Sequence, residues 1–262
     1  MHVDLSVSVV AYHNYEDILN MISSLVECTS KILKKQIYII DNGTEDSNSE
    51  NLNNFKKKIS CFRDVIYIKS DKNVGFGAGH NLILDKIDSD YHAIVNPDII
   101  FVEDCFSKII PFFKEHGSVG MVVPKIIDEK GNLQKVYRRE LTIFDLLNRI
   151  LFKNFFRKRA MKHTMQDMNY SIPFKVPFAQ GSFLVIRSEL FKKLKGFDER
   201  YFMYVEDADL CRRVNDISAL MYLPNAKVIH KWEQGSHKNI KLLRYHLRSI
   251  FFYFFKWGYK FK

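Results

Sequence analysis

The amino-acid sequence predicts an α/β protein built on a single, mostly parallel sheet flanked by helices. The chain has 262 residues and is 47% hydrophobic, which is enough to bury a substantial core. Short apolar runs rich in Val, Ile and Tyr alternate with helical patterns through the first half, as they do in βαβ units. No apolar run reaches the roughly 18 residues that a membrane-spanning helix needs. We therefore expect a folded chain of one large or two small domains.

Each predicted element follows from its local pattern. The strand segments are short apolar runs that end at polar, glycine or proline residues, and the helical segments repeat apolar residues every three or four positions. The predicted strands cover 5–11, 36–41, 65–69, 92–96 and 120–124, and the predicted helices lie near 15–28, 78–87 and 103–115. Ligands of such sheets bind at the carboxyl ends of the strands, so the residues that follow each strand are the candidate site.

The cysteines predict neither a disulfide framework nor a zinc site. They are widely separated, none forms a CxxC pair, and no secretory signal precedes them. We therefore expect a cytoplasmic protein with reduced thiols. The four residues are Cys28, Cys61, Cys105 and Cys211.

The net charge of +10 is concentrated in two segments. Residues 146–163 contain six Lys or Arg and no acid, and residues 238–262 contain seven and no acid, so the rest of the chain is slightly acidic. Both segments are also rich in aromatic and aliphatic residues, a pattern that suits helices lying on an anionic membrane surface. One alternative is a pair of core-packing helices with solvated basic faces. The other is a nucleic-acid surface, but no nucleic-acid-binding motif accompanies the charge.

Aromatic and acidic residues follow the first two predicted strands. Ala11 and Tyr12 come at the end of the first, and Asp41 ends the second. An aromatic ring beside a carboxylate can stack on a nucleotide base and accept a hydrogen bond from its ring NH. Taken singly, each position also suits a turn residue or a helix cap. The pair predicts a base-binding site and leaves a structural role open.

A glycine-rich turn follows the third predicted strand. In the segment NVGFGAGHN, residues 73–81, Gly75, Gly77 and Gly79 permit unusual backbone angles and the close approach of a ligand where a helix begins. The segment is neither a GxGxxG fingerprint nor a P-loop. A tight strand-to-helix connection is therefore the alternative to a phosphate-binding role.

Carboxylates occupy two further positions of interest. Asp98 follows Pro97 at the end of the fourth predicted strand, where it could meet a divalent cation and the phosphates that the cation bridges, or simply form a turn. The segment YFMYVEDADLCRR, residues 201–213, places Glu206, Asp207 and Asp209 within four positions. Taken alone, that cluster favours the start of a helix.

In chain order, these segments resemble the family 2 glycosyltransferases of the inverting GT-A type. The resemblance extends, with gaps, from residue 9 to about residue 230, and its combination of NPD, GSFLVIR and FMYVEDADLCRR is most similar to the rhamnosyltransferase-like branch that builds bacterial surface polysaccharides. It implies a GT-A fold with a single Rossmann-like sheet, followed by C-terminal basic amphipathic helices. The matching motifs are VVAYHN (9–14), IIDNGTEDS (39–47), NVGFGAGHN (73–81), NPD (96–98), QGSFLVIR (180–187), GFDERYFMYVEDADLCRR (196–213) and VIH (228–230).

The resemblance assigns the acidic cluster to catalysis. Asp207 matches the general base that takes the proton of the acceptor hydroxyl as that oxygen attacks the anomeric carbon. Glu206 either orients the acceptor or favours the helix start. Asp209 is instead structural, because its spacing to Arg213 is that of a helical i,i+4 pair.

The resemblance also assigns a donor site and a metal site. Ala11, Tyr12 and Asp41 match residues that hold the nucleotide base, and Asn73 and Gly75 match the segment along the ribose and phosphates. The backbone at Gly181 would approach the donor sugar or acceptor, or only bend into the next strand. The divalent metal, Mg²⁺ or Mn²⁺, would be held by Asp98 and His230, although His230 also suits a polar rim residue. The family's first metal-site acid is replaced here by Asn96, a weaker ligand.

The function that follows is transfer of a sugar, in first place rhamnose from dTDP-rhamnose, to a lipid-linked saccharide in O-antigen or capsule synthesis. A UDP-sugar donor and a catalytically silent scaffold that binds a nucleotide sugar or a membrane are the alternatives. We expect residues 1–237 to form the glycosyltransferase domain, with a donor half at 1–125 and an acceptor half at 126–237, and 238–262 to form a basic aromatic helix. We expect the protein to bind the cytoplasmic face of the inner membrane and not to bind nucleic acid. The basic segment at Arg157, Lys158 and Arg159 would face the acceptor or the membrane.

Overall fold

The structure is a computed structural model that describes residues 2–43, 49–150, 155–231 and 240–259. Strands and helices alternate through the first half, as the sequence predicts, and shorter strands follow. The strands are β1 (Val3–Ala11), β2 (Lys35–Asp41), β3 (Val65–Lys69), β4 (Ser89–Val95), β5 (Ile99–Phe101), β6 (Val119–Ile127), β7 (Tyr137–Arg138), β8 (Phe174–Lys175), β9 (Phe178–Ala179), β10 (Phe183–Arg187) and β11 (Ala219–His230). The helices are α1 (Tyr15–Cys28), α2 (Glu50–Ile59), α3 (Phe76–Asn81), α4 (Phe106–Glu115), α5 (Ile143–Ile150), α6 (Arg157–His163), α7 (Ser188–Lys193), α8 (Glu206–Ile217) and α9 (Ile240–Trp257).

Within the described residues, nine strands form one sheet in the order β3-β2-β1-β4-β10-β6-β11-β5, with β8 paired to β11. Strands β1 to β4 are parallel to one another, as are β6 and β11. Strand β10 runs antiparallel between β4 and β6 and joins the two parallel parts into a continuous sheet. A separate pair, β7 and β9, lies beside it. The architecture confirms the predicted mostly parallel α/β sheet.

The central strand β1 is buried on both faces. Leu5, Val7 and Val9 point to one face and are fully buried. Ser6 and Ser8 point to the other and are buried as well. The apolar–polar alternation of this strand would ordinarily indicate one solvent-exposed face, but here the serines form hydrogen bonds with buried histidines.

Two predicted helices differ from the observed ones for local reasons. The predicted helix at 78–87 is the short α3 followed by a 3₁₀ turn at Leu84–Lys86, because glycine-rich sequence is a poor helix former. The helix predicted from residue 103 begins at Phe106, because Asp104 accepts a hydrogen bond from the backbone N–H of Ser107 at 3.0 Å and so precedes the first turn.

The predicted basic helix near 146–163 is divided between α5 and α6, with residues 151–154 outside the described part of the chain. Arg157 and Lys158 are exposed. Arg159 is not free to meet a partner, since its Nε donates to the buried carboxylate of Asp145 at 2.7 Å and its guanidinium lies over the ring of Phe144. Only part of this charge is therefore available at the surface.

Helix α9 packs one side against the domain. Tyr253 and Phe254 are buried in the main core, and Ser249 is buried with them. In the described ranges, no helix is both long enough and apolar enough to cross a bilayer.

Candidate active site

The sequence-predicted site residues converge at one edge of the sheet. Ala11 pairs with Asp41 at the carboxyl ends of β1 and β2. The start of the antiparallel β10 lies beside the end of β4, where the backbone N–H of Asn96 donates to the carbonyl of Ser182 at 2.8 Å. The end of β11 reaches the same edge, since His230 pairs with Ile99. Strand ends far apart in sequence thus form one continuous rim.

Tyr12 and Asp41 occupy different environments on this rim. The Tyr12 residue is 54% exposed and its ring meets the His13 ring edge-on, with centroids 4.6 Å apart, whereas Asp41 is buried. Asp41 Oδ2 accepts hydrogen bonds from the hydroxyls of Tyr15 and Tyr67 at 3.1 and 2.5 Å, and Oδ1 accepts from the Gly43 N–H at 2.8 Å. Burial, followed by the bond to Asp41, raises the pKa of Tyr67, so its phenol remains a donor. Among the described residues, three donors occupy three of the roughly four acceptor positions of the carboxylate, which leaves one for a ligand.

The glycine-rich turn is held by the chain itself. Gly75 adopts a φ of +94°, which favours glycine, and a Cβ there would collide with the carbonyl oxygen of Phe202. The side-chain oxygen of Asn73 accepts from the Gly75 N–H at 2.9 Å, and Asn42 Nδ2 donates to the Gly75 carbonyl at 2.8 Å. The close approach that the glycine permits is therefore to the segment before α8, and it fixes Asn73 and Gly75 at the rim.

Asp207 lies in the first turn of α8 and is fixed by two backbone donors. The N–H of Gly181 donates to Oδ2 at 3.0 Å, and the N–H of Ala208 donates to Oδ1 at 2.8 Å. A Cβ on Gly181 would lie 3.3 Å from the Cβ of Asp207, so glycine allows this close contact. Burial raises the pKa of Asp207, and the two N–H donors and the charge of Arg138 oppose that rise. The result is a positioned carboxylate that is more basic than usual.

Glu206 stands beside Asp207 in a more buried position. Its Oε2 atom is buried without a hydrogen-bond partner among the described residues. Burial, followed by the neighbouring charge of Asp207, raises the pKa of Glu206 well above its ordinary range. Burial therefore makes Glu206 take up a proton at a higher pH than Asp207, which keeps its charge, and its ability to accept a proton, to lower pH.

Asp209 has the structural role that its spacing predicts. It is fully buried, and its Oδ2 accepts from Arg213 Nε at 2.7 Å. Its Oδ1 lies 2.7 Å from Lys256 Nζ and accepts from Trp257 Nε1 at 2.8 Å. Asp209 therefore ties α8 to the end of α9 and takes no part in the open site.

The proposed metal ligands Asp98 and His230 are adjacent. His230 Nε2 lies 3.2 Å from Asp98 Oδ2, and the backbone N–H of Lys231 donates to the Asp98 carbonyl at 3.0 Å. Asp98 Oδ1 and Asn96 Oδ1 are buried and have no hydrogen-bond partner within the described part of the chain. Two unpartnered buried oxygens beside a carboxylate–imidazole contact form a donor set that suits a divalent cation.

Gln134 fixes the orientation of the His230 ring. Its Nε2 donates to the His230 carbonyl at 2.7 Å, which places its Oε1 2.8 Å from His230 Nδ1. Nδ1 must therefore carry a hydrogen, and Nε2 is the atom turned toward Asp98. His230 Nε2 and Asp98 Oδ2 are therefore placed where they could bind the same divalent cation. Among the described residues, no group of three or more His, Cys, Asp or Glu is arranged for a metal, so a third protein ligand would be the amide oxygen of Asn96.

Two residues of this site carry no sequence signal. Gln134 lies between β6 and β7 and Arg138 lies in β7, and neither residue belongs to one of the motifs that resemble the family. Gln134 acts through His230, and Arg138 through its charge near Asp207. Only the fold brings them to the site, because their partners are about 70 to 100 residues away.

Comparison with curated proteins identifies rhamnosyltransferases among the relatives. The rhamnosyltransferase WbbL of Escherichia coli K12 is 29% identical over 188 residues, which cover 68% of this chain and 69% of WbbL. The N-acetylglucosaminyl-diphospho-decaprenol L-rhamnosyltransferase of Mycobacterium tuberculosis is 23% identical over 239 residues, or 86% of this chain and 75% of that protein.

Solved glycosyltransferases share the fold. GalNAc-T7 in complex with UDP, GalNAc and Mn²⁺ matches with a TM-score of 0.68 at 15% identity, over 91% of this chain and 45% of its own. The mannosyltransferase PcManGT of Pyrobaculum calidifontis in complex with GDP-Man and Mn²⁺ matches with 0.63 at 11% identity, over 90% and 59%. The chain thus spans about half the length of these solved chains and has the GT-A fold. The family model described as glycosyl transferase family 2 matches residues 6–195, and the chain belongs to that family.

Proposed function

We propose that this glycosyltransferase transfers rhamnose from dTDP-rhamnose, with inversion, to a lipid-linked saccharide during O-antigen or capsule synthesis. The names of two relatives support a rhamnosyl donor, and one of those names includes a diphospho-decaprenol-linked sugar. The observation that carries the proposal is the carboxylate of Asp207, fixed by two N–H donors at the rim of the sheet. The sugar transfer would take place at the cytoplasmic face of the inner membrane.

Asp207 supplies the base that an inverting transfer requires. Its pKa, raised by burial, makes it a stronger acceptor for the proton of the attacking hydroxyl. Because the N–H groups of Gly181 and Ala208 hold both of its oxygens, the carboxylate keeps one orientation during the reaction. Because burial raises the pKa of Glu206 well above its ordinary range, a proton taken up by the pair favours Glu206 and leaves the negative charge on Asp207.

The donor would lie along the opposite part of the rim. The exposed ring of Tyr12 would stack on the base, and the remaining lone pair of Asp41 would accept from its ring NH. Asn73 and Gly75, fixed against Phe202, would face the ribose and phosphates. Ala11 and Gly181 would provide backbone surface next to the donor. These contacts would orient the anomeric carbon for attack by the acceptor.

A divalent cation fits the residues beside this donor position. Asp98 and His230 would hold it, with the amide oxygen of Asn96 as a weaker ligand. When bound, the cation would neutralise the charge of the departing nucleoside diphosphate. Gln134 keeps His230 Nε2 turned toward that position.

Two alternatives remain distinct from this proposal. A UDP-sugar donor is the first, and the exchange of the family's first metal-site acid for Asn96 favours the deoxythymidine nucleotide over it, because a deoxyribose lacks the 2′-hydroxyl that an extra carboxylate could bind. A silent scaffold is the second. The combination of a positioned base at Asp207 and a metal-type donor set at Asp98 and His230 favours an enzyme, because a scaffold needs neither.

The donor site can be tested by calorimetric titration of dTDP and UDP, each with and without Mn²⁺. We expect wild-type protein to bind dTDP more tightly in the presence of Mn²⁺, and Asp98→Ala to lose that metal-dependent gain. Asp85→Ala, which removes an exposed carboxylate from a surface turn, is the matched control and should bind like wild type. Tighter binding of UDP would replace the donor assignment, and the absence of binding by either nucleotide would contradict the enzyme proposal.

A further inference from the structure

Helix α9 presents a continuous apolar stripe to solvent. Four side chains of this helix, spaced four residues apart, are each more than half exposed, although each is a large hydrophobic group. Four-residue spacing places them along one side of a helix. We call them the outer stripe: Leu243, Leu247, Phe251 and Phe255.

Basic residues border the outer stripe. Arg244 and Arg248 are exposed next to Leu243 and Leu247, and residues 238–262 contain no acidic side chain in their sequence. A second copy of the chain placed face to face on this stripe would bring like charges together. An anionic lipid surface would instead neutralise them and cover the rings.

The opposite side of α9 contacts residues 201–205, the turn that leads into α8. Ser249 Oγ donates to the carbonyl of Met203 at 2.9 Å, and the ring of Tyr245 stacks on that of Phe202 with centroids 4.4 Å apart. At its carboxyl end, Lys256 Nζ lies 2.7 Å from Asp209 Oδ1. Helix α9 therefore supports both the entry to α8 and its first turn.

The backbone of the 201–205 turn is strained. Tyr204 and Val205 both have a φ of +69°, and Val205 is the residue immediately before α8. A β-branched residue rarely adopts this conformation, so the surrounding contacts must hold it. The next two residues are Glu206 and Asp207. The position of the catalytic carboxylate thus depends on a strained turn that α9 braces.

We propose that the outer stripe of α9 binds an anionic membrane surface, and that binding steadies α9 against the 201–205 turn that positions Asp207. This inference deepens the proposed function and rests on it for its purpose, because a lipid-linked acceptor would then meet the site at the membrane. The binding itself requires only the surface of α9 and can be measured without acceptor or donor.

Co-sedimentation with vesicles tests the surface. We expect wild-type protein to bind phosphatidylcholine vesicles containing phosphatidylglycerol, to bind vesicles of phosphatidylcholine alone much more weakly, and to lose affinity as salt rises. Phe251→Ser combined with Phe255→Ser should weaken binding by about tenfold or more. The matched control, Ile32→Ser with Ile217→Ser, removes two exposed apolar side chains elsewhere and should bind like wild type.

Each contrary result overturns the inference. Equal binding of wild type and the Phe251/Phe255 variant would place the membrane contact elsewhere. No binding of wild-type protein to anionic vesicles, together with a wild-type dimer that the variant abolishes in analytical ultracentrifugation, would identify a second copy as the occupant. Calorimetry with dTDP separates the two proposals, because the variant should retain wild-type nucleotide affinity, whereas failure of the proposed function would remove nucleotide binding from wild type as well.

Hydrogen exchange measured by mass spectrometry tests the coupling. Anionic vesicles should slow exchange in a peptide covering 201–209 in wild type, and should leave that peptide unchanged in the Phe251/Phe255 variant. Unchanged exchange in wild type bound to vesicles would show that the membrane contact does not reach the turn, and would overturn this part of the inference.

Discussion

At the scale of single residues, the environment of Asp207 determines what it can do. Gly181 contributes both the space for a close approach and the N–H that binds Oδ2. A substitution that keeps the shape of Asp207 but removes its basicity therefore separates chemistry from structure.

Replacing Asp207 by Asn should lower kcat for sugar transfer by about 10²- to 10⁴-fold and leave nucleotide affinity unchanged, because an amide cannot accept the acceptor proton. In wild type, kcat should fall as the pH drops through the pKa of Asp207, which burial places above the ordinary aspartate range. The pH dependence of kcat and calorimetric affinity for dTDP check both points.

Asp216→Asn, an exposed position on the same helix, is the control for the Asp207 substitution and should retain wild-type kcat. A kcat within a few-fold of wild type for Asp207→Asn would assign the base to another residue.

Sequence patterns locate some of these residues and not others. The motifs place Asp207, Gly181, Asp98 and His230 on separate segments, and the structure brings Asp207 to Gly181 and Asp98 to His230. No pattern indicates Gln134, because a single glutamine in a stretch without a motif has many possible roles. Its contribution depends on a contact across 96 positions of the chain.

At the scale of elements, the N-terminal part of α8 is held in place by contacts with other parts of the fold. The i,i+4 pair of Asp209 with Arg213 is predictable from spacing and is present. The contacts of Asp209 with Lys256 and Trp257 are not predictable, since nothing in either segment identifies the other. Lys256 also lies 2.9 Å from Asp198 Oδ2, so one ammonium group joins two carboxylates.

Removing the Lys256 charge should destabilise the fold. In Lys256→Met, Asp209 would remain fully buried with Arg213 as its remaining charged partner, and the free energy of unfolding should fall by about 2 to 4 kcal/mol. Urea unfolding monitored by circular dichroism measures the change. Lys57→Met, at an exposed position in α2, should stay within about 0.5 kcal/mol of wild type. An unchanged urea midpoint for Lys256→Met would show that the contact of Lys256 with Asp209 contributes nothing to stability.

At the scale of the whole molecule, a buried polar network crosses the central sheet. Ser8 Oγ lies 2.7 Å from His80 Nδ1 and 2.9 Å from His92 Nε2, and Ser6 Oγ lies 2.7 Å from His92 Nδ1. Alternation along β1 predicts a strand but not this network, because the serines look like surface residues until β4 and α3 cover them. The parallel strands of the first half can be predicted from local apolar runs in the sequence. The insertion of β10 between β4 and β6 cannot, because it depends on pairing between segments far apart in the chain.

The two histidines make the fold sensitive to acid. Burial lowers the pKa of His80 and of His92 to about 3, from an ordinary value of 6.5. The unfolded chain takes up these protons below pH 6.5 and the folded chain does not, so their contribution to stability is complete above pH 6.5 and declines as the pH falls toward 3. Glu206 acts in the opposite direction, because its raised pKa makes the folded chain bind a proton that the unfolded chain releases. The effect of one histidine is therefore best isolated by substitution.

Between pH 7.5 and pH 5, each buried histidine should remove about 2 kcal/mol from the free energy of unfolding, since the unfolded state gains a proton that the folded state excludes. His92→Gln should show a pH-dependent loss smaller than that of wild type by about this amount, whatever its stability at pH 7.5. Urea unfolding at both pH values gives the comparison, and His116→Gln, at an exposed position, should follow wild type. Equal pH dependence in wild type and His92→Gln would mean that His92 is protonated inside the folded protein, and that the network across β1 and β4 carries a charge.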